Sequence, residues 1–224
     1  MSEYDRANFR GVYEGKSLIE TAKVTIVPWE IGVPQPIVCK ILDNSSPGRL
    51  LDVGCGLGRN AKAAFDRGYD VTAIDIASAA IEQCYEYYAD TEIAFQVSDA
   101  CKTGLTPGFN MILDSATYHA IPAVQRRTYL AEMYRLAVKD TIFHLITFAP
   151  SLYGMPKPLA SELSEIASNV ESSGWKIMLV ERTEYKGNAA AIQDYQKKEK
   201  LSIRIDDQGR TRLPSWHLTL QIIA

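Results

Sequence analysis

The chain has 224 residues, of which 46% are hydrophobic and 23% charged, with 24 Lys and Arg against 27 Asp and Glu. The net charge of −3 argues against a broad nucleic-acid-binding face, because phosphate binding needs clustered Lys and Arg. Chains of up to about 250 residues often form one domain. We therefore expect one domain over residues 1–224, with residues 1–45 as an N-terminal helical segment or flap and residues 46–224 as the core.

The cysteines and the spread of apolar residues predict the compartment. The four cysteines lie far apart without a C-x-x-C pair, and the chain has three histidines, so neither a structural metal site nor a disulfide framework is expected. No run approaches the roughly 18 apolar residues of a membrane helix, and the N-terminus lacks the apolar stretch of a signal peptide. We expect a cytoplasmic protein that binds no membrane and no metal. The oligomeric state is left open.

Short apolar runs alternate with helical segments from residue 49 onward. Strands are predicted at residues 49–53, 69–75, 92–97, 109–114 and 141–148, and helices at residues 58–67, 78–88, 124–137 and 159–173. Strands joined by helices require right-handed crossovers, which predicts a mostly parallel sheet with helices on both faces. Two last strands, at residues 175–185 and 215–223, show no helix between them and must therefore run antiparallel. The fold class is α/β, a Rossmann-like, doubly wound, seven-stranded sheet with an antiparallel C-terminal pair.

The sequence LLDVGCGLGRN, at residues 50–60, is the strongest functional signal. Gly54, Gly56 and Gly58 lie in a turn between a strand and a helix, where a ligand can approach the backbone closely. Asp75 follows at the end of the next strand, where a carboxylate can accept hydrogen bonds from ribose hydroxyls. Enzymes that bind NAD use G-x-G-x-x-G, whereas this spacing is G-x-G-x-G. Asp52 adds a negative charge that suits a cationic ligand better, which favours S-adenosylmethionine over NAD.

With these residues the chain resembles the class I S-adenosylmethionine-dependent methyltransferases. The segment from Asp52 to Gly58 is similar to their first motif, and Asp75 matches their ribose-binding acid, with Ile76 beside it. Asp99 and Ala100, after the third strand, match the motif that contacts the adenine. The resemblance implies S-adenosylmethionine as the methyl donor and S-adenosylhomocysteine as the product.

Three further segments resemble a narrower group, the thiopurine and halide/thiol methyltransferases and related bacterial enzymes that act on quinolones, quinones and phenols. Residues 28–36, PWEIGVPQP, are similar to a P-W-D-x-G-x-P-x-P segment that folds over the cofactor in that group. Residues 114–119, DSATYH, resemble D-S-A/G-x-F-H, and residues 213–216, LPSW, resemble L-P-A-W. The resemblance adds Trp29, Asp114 and Ser115 to the cofactor contacts. The departures are Glu30 in place of Asp and VKDT in place of a Pro-Gly turn before the fifth strand.

His119 is the candidate catalytic residue, since it lies just beyond the fourth strand, where the donor methyl should point. A neutral histidine can take a proton from a hydroxyl near neutral pH, so we predict a general base. The alternative is a histidine that only shapes the pocket. Tyr13, Tyr118 and Tyr153 are candidate substrate contacts together with His119. His144 and His217 are expected to be structural.

The predicted function is methyl transfer to a small, aromatic or heteroaromatic acceptor, with O-methylation of a hydroxyl favoured. The alternatives are S- or N-methylation of a thiol, halide or amine without a base, an NAD-dependent oxidoreductase, and a cofactor-binding protein without catalysis. A D/N-P-P-Y clamp, which a DNA methyltransferase acting on an amino group needs, is missing after the fourth strand. The expected partner is therefore a small molecule and not a nucleic acid.

Overall fold

The fold is built around one seven-stranded sheet. The computed structural model describes residues 7–18 and 26–222, so the predicted N-terminal segment is described only in part. The strands in chain order are β1 (Arg49–Val53), β2 (Asp70–Asp75), β3 (Ala94–Val97), β4 (Phe109–Ser115), β5 (Ala137–Phe148), β6 (Trp175–Asn188) and β7 (Arg210–Ile222). Their order across the sheet is β3-β2-β1-β4-β5-β7-β6. Neighbours from β3 to β5 pair in parallel, and β7 pairs antiparallel with both β5 and β6, which confirms the predicted fold class.

Six α-helices accompany the sheet in the described residues. They are α1 (Pro36–Asp43), α2 (Arg59–Phe65), α3 (Ser78–Tyr87), α4 (Arg126–Leu136), α5 (Leu163–Glu171) and α6 (Gln193–Lys198). Short 3₁₀ helices lie at Gly11–Glu14, Tyr118–Ala120, Ala123–Gln125 and Ala190–Ile192. None of the helices described is long and apolar enough to cross a membrane.

Alternating side chains of the central strands divide the core between the two faces of the sheet. Leu50 faces a cluster that includes residues of α1, α2 and α3, whereas the adjacent Leu51 faces a cluster with residues of α4 and α5. Both leucines are fully buried, and burying a side chain of this kind stabilises the fold by roughly 1.5–3 kcal/mol. Since both faces are covered, the carboxyl ends of β1, β2 and β4 form an edge at which a ligand can bind.

Two local expectations were wrong. The connection between β6 and β7 does contain a helix, α6, preceded by a 3₁₀ turn. Its six residues, QDYQKK, are too few and too polar to show helical periodicity, and within the helix Tyr195 is the residue that is buried. The fifth strand begins at Ala137, where a helix end was expected, and Asp140 has a φ of +66° next to an irregularity in the pairing with β4.

Candidate active site

The three glycines of the loop after β1 have positive φ angles of +66°, +54° and +71°, and each lies against another element. A Cβ on Gly54 would lie 2.1 Å from the Thr117 Oγ1 atom, which donates a hydrogen bond to the Val53 carbonyl at 2.7 Å. A Cβ on Gly56 would lie 2.9 Å from the Tyr13 hydroxyl, and one on Gly58 would crowd side chains of α3 and β3. The loop therefore tolerates no side chain at these positions.

Asp75 ends β2 with its carboxylate turned toward the loop. Its Oδ2 atom accepts a hydrogen bond from the Gly56 N–H at 2.9 Å, and its Oδ1 atom accepts one from the Ala77 N–H at 2.9 Å. Burial raises the pKa of this carboxyl, and the backbone N–H groups oppose that shift. Asp75 thus joins the glycine loop to the turn after β2 and lines the cavity described below.

Asp52 is a buried carboxyl beneath the loop. It is 1% exposed, and its Oδ2 atom has no hydrogen-bond partner. Burial, with further contributions from Asp114 and Asp75, raises the pKa of Asp52 to about 7. A buried carboxyl with an unpartnered oxygen is costly, and a positively charged group brought near it would relieve that cost by favouring its ionised form.

The end of β4 is organised by Asp114. Its carboxylate accepts hydrogen bonds from the Thr117 N–H at 2.6 Å, the Tyr118 N–H at 3.3 Å and the Tyr129 hydroxyl at 2.7 Å. Burial raises the pKa of Asp114 to about 7. Asp114 therefore shapes the loop that follows, whereas its neighbour Ser115 lines the cavity, with a buried Oγ atom that has no partner.

The segment after residue 27 lies over the glycine loop and is held from three sides. The Trp29 Nε1–H donates to the Tyr13 hydroxyl at 2.8 Å. The Arg59 guanidinium at the start of α2 is 3.1 Å from the Glu30 carboxylate. The Gln35 side chain exchanges two hydrogen bonds with the Lys186 backbone, at 2.7 and 2.9 Å. These contacts place the Trp29 ring above the loop.

A cavity of about 430 Å³ runs between this segment and the sheet edge, within the range of small-molecule sites. Its wall begins at Ile76, Asp99 and Ala100, near β2 and β3, and continues along the glycine loop to His119 on the 3₁₀ helix after β4. Asp99 is exposed and accepts a hydrogen bond from the Cys101 N–H at 2.8 Å.

His119 lines the cavity and lies against the aromatic side chain of Phe148. Its ring stacks on Phe148 of β5, with centroids 4.2 Å apart and an interplanar angle of 24°. The His119 Nδ1 atom is buried without a hydrogen-bond partner. Burial, assisted by the nearby Arg126, lowers the pKa of His119 to about 3, so the ring is neutral at physiological pH. Tyr185 of β6 packs edge-on against Phe148 at 5.8 Å, and burial raises its pKa.

The structure divides the predicted site residues into two groups. Those that line the cavity are Tyr13, Trp29, Gly54, Asp75, Ile76, Asp99, Ala100, Ser115 and His119. Those that do not line it are Asp52, Gly56, Gly58, Asp114, Tyr118 and Tyr153. Of these, Asp52, Gly56, Gly58 and Asp114 lie in or directly beneath the loops that form the wall.

The two remaining tyrosines lie elsewhere. Tyr118 is fully buried in the core on the α4 side, where its hydroxyl accepts a hydrogen bond from the Asn169 amide at 3.0 Å. Tyr153 is 41% exposed, and the Arg204 guanidinium lies 4.1 Å from its ring centroid. The structure therefore does not bring the side chains of Tyr118 and Tyr153 to the cavity wall. Both tyrosines follow the ends of strands, in segments without a regular repeat. The spacing of residues in such segments does not fix the direction of a side chain, so the sequence could not exclude Tyr118 and Tyr153 as substrate contacts.

Several wall residues had no sequence signal of their own. Phe148 and Tyr185 come from β5 and β6, Met155 from the loop after β5, and Tyr195 from α6. In the sequence these residues cannot be told from ordinary core residues. They are distinguished only because the fold brings them together on the wall of one cavity. The sequence predicts three variable segments as contributors to the substrate pocket: residues 149–158 and 187–214 do contribute to the wall, whereas residues 104–108 do not.

The site suits S-adenosylmethionine on its own evidence. The side-chain-free loop allows close backbone approach, and the buried Asp52 carboxyl, whose Oδ2 atom has no partner, favours a cationic ligand. In the described residues, Arg59 is the one cationic side chain on the cavity wall, and it is paired with Glu30. No group of three or more potential ligands for a metal ion is found there, and the four cysteines are free.

Comparisons with known proteins agree with this site. A family model described as a methyltransferase domain matches residues 50–140. The chain is 28% identical to the 2-heptyl-1-hydroxyquinolin-4(1H)-one methyltransferase of Mycobacteroides abscessus, over 97% of this chain and 98% of that protein. It is 27% identical to thiocyanate methyltransferase 1 of Arabidopsis thaliana, over 79% of this chain and 78% of that protein.

Solved structures share the fold. A protein studied for the conversion of a disulfide bond into a thioacetal group during echinomycin biosynthesis superposes with a TM-score of 0.76 at 20% identity, covering 96% of this chain and 91% of that one. The 1,6-didemethyltoxoflavin-N1-methyltransferase of Burkholderia thailandensis superposes with a TM-score of 0.62 at 16% identity, covering 84% of this chain and 78% of that one.

The family model and the curated relatives identify the protein as an enzyme that transfers methyl groups. The chain is a class I S-adenosylmethionine-dependent methyltransferase that acts on small molecules, and its cofactor is S-adenosylmethionine.

Proposed function

We propose that the protein transfers a methyl group to a hydroxyl on a small, aromatic or heteroaromatic acceptor. The observation that carries the proposal is the stacked pair of His119 and Phe148, with Tyr185 against it, at the end of the cavity that begins at the glycine loop. Flat apolar rings of this kind favour a flat acceptor, because offset and edge-on ring contacts are stabilising. The full-length relative that acts on a hydroxyquinolone supports the same class of acceptor.

Most of the expected rate acceleration comes from positioning. When bound, S-adenosylmethionine supplies a methyl group on a sulfonium, which is already a good leaving group. The chain contributes a largely apolar cavity that can hold the reacting atoms together and reduce their contact with water. The Trp29 ring and the Tyr13 hydroxyl cover the glycine loop, where an aromatic face suits a sulfonium charge. His119 is the polar side chain placed to contact the acceptor.

The first test is a calorimetric titration with S-adenosylmethionine, S-adenosylhomocysteine and, as a control, NADH. We expect micromolar binding of the two adenosyl ligands and none of NADH. Mass spectrometry of reactions with 2-heptyl-1-hydroxyquinolin-4(1H)-one, 4-nitrophenol and an aromatic amine should then show one added methyl on a hydroxyl compound. Methylation of the amine alone would contradict the proposed acceptor.

S-methylation is a second candidate, favoured by the similarity to thiocyanate methyltransferase 1. Thiocyanate and a small aromatic thiol belong in the same acceptor screen. If their kcat/KM exceeds that of every hydroxyl compound, sulfur and not oxygen is the preferred nucleophile. The ring contacts around His119 favour an aromatic thiol over thiocyanate, because a linear ion would leave those apolar faces uncovered.

A further inference from the structure

The surroundings of His119 do not suit a group that must become positively charged. A histidine base is normally supported at its second nitrogen by a carboxylate or carbonyl that stabilises the imidazolium. Here the Nδ1 atom is buried with no partner, and one face of the ring is covered by Phe148. Because Nδ1 is buried without a partner, Nε2 is the ring nitrogen left to donate to a ligand in the cavity that His119 lines. The neutral ring can therefore present an N–H there, but a protonated ring gains no partner.

A buried guanidinium lies close to this ring. Arg126, in the first turn of α4, is 4% exposed and lies 4.8 Å from the Tyr118 ring centroid. It donates hydrogen bonds to the Ile121 carbonyl at 3.2 Å, the Ser161 hydroxyl at 3.1 Å and the Glu165 carboxylate at 2.7 Å. The Glu165 side chain is 42% exposed, so solvent screens its charge more than that of the guanidinium. Arg126 is the charged group that acts on the ring, and its positive charge adds to burial in lowering the pKa of His119.

The other charged groups around His119 do not reverse this effect. A second cavity of about 240 Å³ lies behind the ring and is lined by both His119 and Arg126. Lys157 and Glu162 on its wall are exposed and pair with each other at 2.8 Å. From β4, Asp114 is turned toward Tyr129 and backbone N–H groups. From β5, the contact is the apolar Phe148. Among the described residues, no anion forms a hydrogen bond or an ion pair with the ring.

We propose that the acceptor is bound and methylated as an anion, an acidic heteroaromatic or aromatic hydroxyl that has already lost its proton to solvent. The neutral His119 ring donates a hydrogen bond from Nε2 to the anionic oxygen, and the buried Arg126 guanidinium supplies the positive field that favours the ionised acceptor. His119 contacts the acceptor, whereas Arg126 acts as a positioning residue. The inference rests on the proposed function and names the chemical form of its acceptor.

The balance of the reaction agrees with this assignment. An oxygen lone pair forms the new bond to the methyl carbon, the electron pair of the broken carbon–sulfur bond stays on sulfur, and no proton moves within the site. A positive donor and a negative acceptor give two neutral products. A buried site stabilises such a pair of opposite charges through their mutual attraction, and no residue needs to be protonated for turnover.

The pH dependence of kcat/KM separates the two mechanisms. Phenol, 4-cyanophenol and 4-nitrophenol, in order of rising acidity, and 2-heptyl-1-hydroxyquinolin-4(1H)-one serve as acceptors. We expect kcat/KM to rise with pH up to a midpoint that follows the acidity of each acceptor, because its ionised fraction sets the rate. With S-adenosylmethionine saturating at every pH, a single midpoint shared by all acceptors would show that a group of the enzyme takes the proton, and would overturn the inference.

Variants at His119 test the donor role. His119→Gln keeps an N–H near the Nε2 position but removes a base, whereas His119→Ala removes both. We expect His119→Gln to retain kcat/KM within about tenfold of the native enzyme and His119→Ala to lose about 100-fold, the range for a hydrogen bond to a charged group. Equal losses in both variants, with S-adenosylhomocysteine affinity unchanged, would contradict the donor role.

Variants at Arg126 test the field. The ionisation of 4-nitrophenol bound beside S-adenosylhomocysteine is followed by its absorbance. We expect the bound compound to ionise at lower pH than the free one, and Arg126→Gln to raise that midpoint by about one pH unit. Arg126→Lys should restore most of the shift. Arg127→Gln is the matched control, because this neighbour is exposed and bonds Asn169; an equal shift there would refute the assignment.

Failure of the inference can be distinguished from failure of the proposed function. Methyl transfer with a fixed pH midpoint removes the inference alone. If neither 4-nitrophenol nor the hydroxyquinolone binds or reacts while S-adenosylhomocysteine binds, the acceptor class fails and the inference fails with it. Calorimetric binding of S-adenosylhomocysteine shows in each variant that the fold is intact.

Discussion

The two ends of the cavity are constructed differently. At the cofactor end, the positions of the glycine loop, Asp75 and Asp114 are set by hydrogen bonds among the ends of β1, β2 and β4, which are neighbours in the sheet. Around His119, the wall comes from the loop after β5, from β6 and from α6, which are separate parts of the chain. A site made at the ends of adjacent strands has a local sequence pattern, whereas a wall assembled from distant loops has none.

Gly54→Ala should give the largest effect, because it breaks the cofactor end where two loops touch. The added Cβ would lie 2.1 Å from the Thr117 Oγ1 atom, at a φ of +66°. We expect binding of S-adenosylhomocysteine to weaken by at least about 100-fold. We also expect the free energy of unfolding to fall by more than the roughly 1–2 kcal/mol that a left-handed residue costs by itself. Calorimetry and thermal unfolding measure the two quantities.

Gly104→Ala is the matched control for this substitution. Gly104 has a φ of +71°, but nothing lies within 4 Å of the position of its Cβ. We expect this variant to show only the backbone strain, with cofactor affinity within about twofold of the native value. If both alanine variants bind the cofactor equally well, contact between the loops after β1 and β4 does not shape the site.

Asp52→Asn should change how cofactor binding depends on pH. The pKa of Asp52 is raised to about 7 in the folded protein from an unfolded value near 4. The folded state therefore holds this proton more tightly, so ionisation of Asp52 lowers stability as the pH rises from about 4 to about 7. A cationic cofactor reverses the penalty, since it favours the ionised carboxyl.

Two measurements check this expectation. Affinity for S-adenosylmethionine should rise by roughly tenfold between about pH 6 and about pH 8 in the native protein and stay flat in Asp52→Asn. The stability of the cofactor-free protein should fall less steeply with pH in the variant. The same rise in affinity in both proteins would place the cationic groups of the cofactor away from Asp52.

Glu30→Gln probes the contact that joins the covering segment to α2. The Glu30 carboxylate is 3.1 Å from the Arg59 Nε atom, and both side chains are partly shielded from solvent. A partly exposed pair contributes up to about 1 kcal/mol, so we expect a three- to fivefold loss of cofactor affinity, measured by calorimetry. Lys62→Gln, which removes an exposed pair with Asp66 on the same helix, should leave the affinity unchanged.

The smallest effect is expected at Tyr153, which the sequence predicts as a substrate contact. Tyr153 lies on the surface against Arg204, so Tyr153→Phe should change kcat/KM for the acceptor by less than about twofold. Tyr185→Phe, which removes a hydroxyl from the cavity wall, should lower kcat/KM by about fivefold or more, as expected for a lost hydrogen bond. The reverse order of effects would place the acceptor outside the cavity.

The parts of the fold that could be predicted are those with a local physical signal. The bounds of β1 agree with the prediction because RLLDV is a short apolar run between glycines. The helix α6 escaped prediction because a six-residue polar segment has no measurable periodicity. At the site, Asp75 follows from its distance to the glycines, whereas Tyr185 is one of twelve tyrosines and is recognisable only by its contact with Phe148.

The sequence by itself determined the sheet, the cofactor and methyl transfer as the reaction, because strand periodicity and a glycine loop followed by an acid are properties of neighbouring residues. The tertiary structure decided what surrounds His119. A histidine beyond the fourth strand suggests a base, but its protonation depends on which charges and apolar groups pack against it. Arg126 and Phe148 come from α4 and β5 and leave the ring neutral, because burial and a nearby positive charge both oppose protonation.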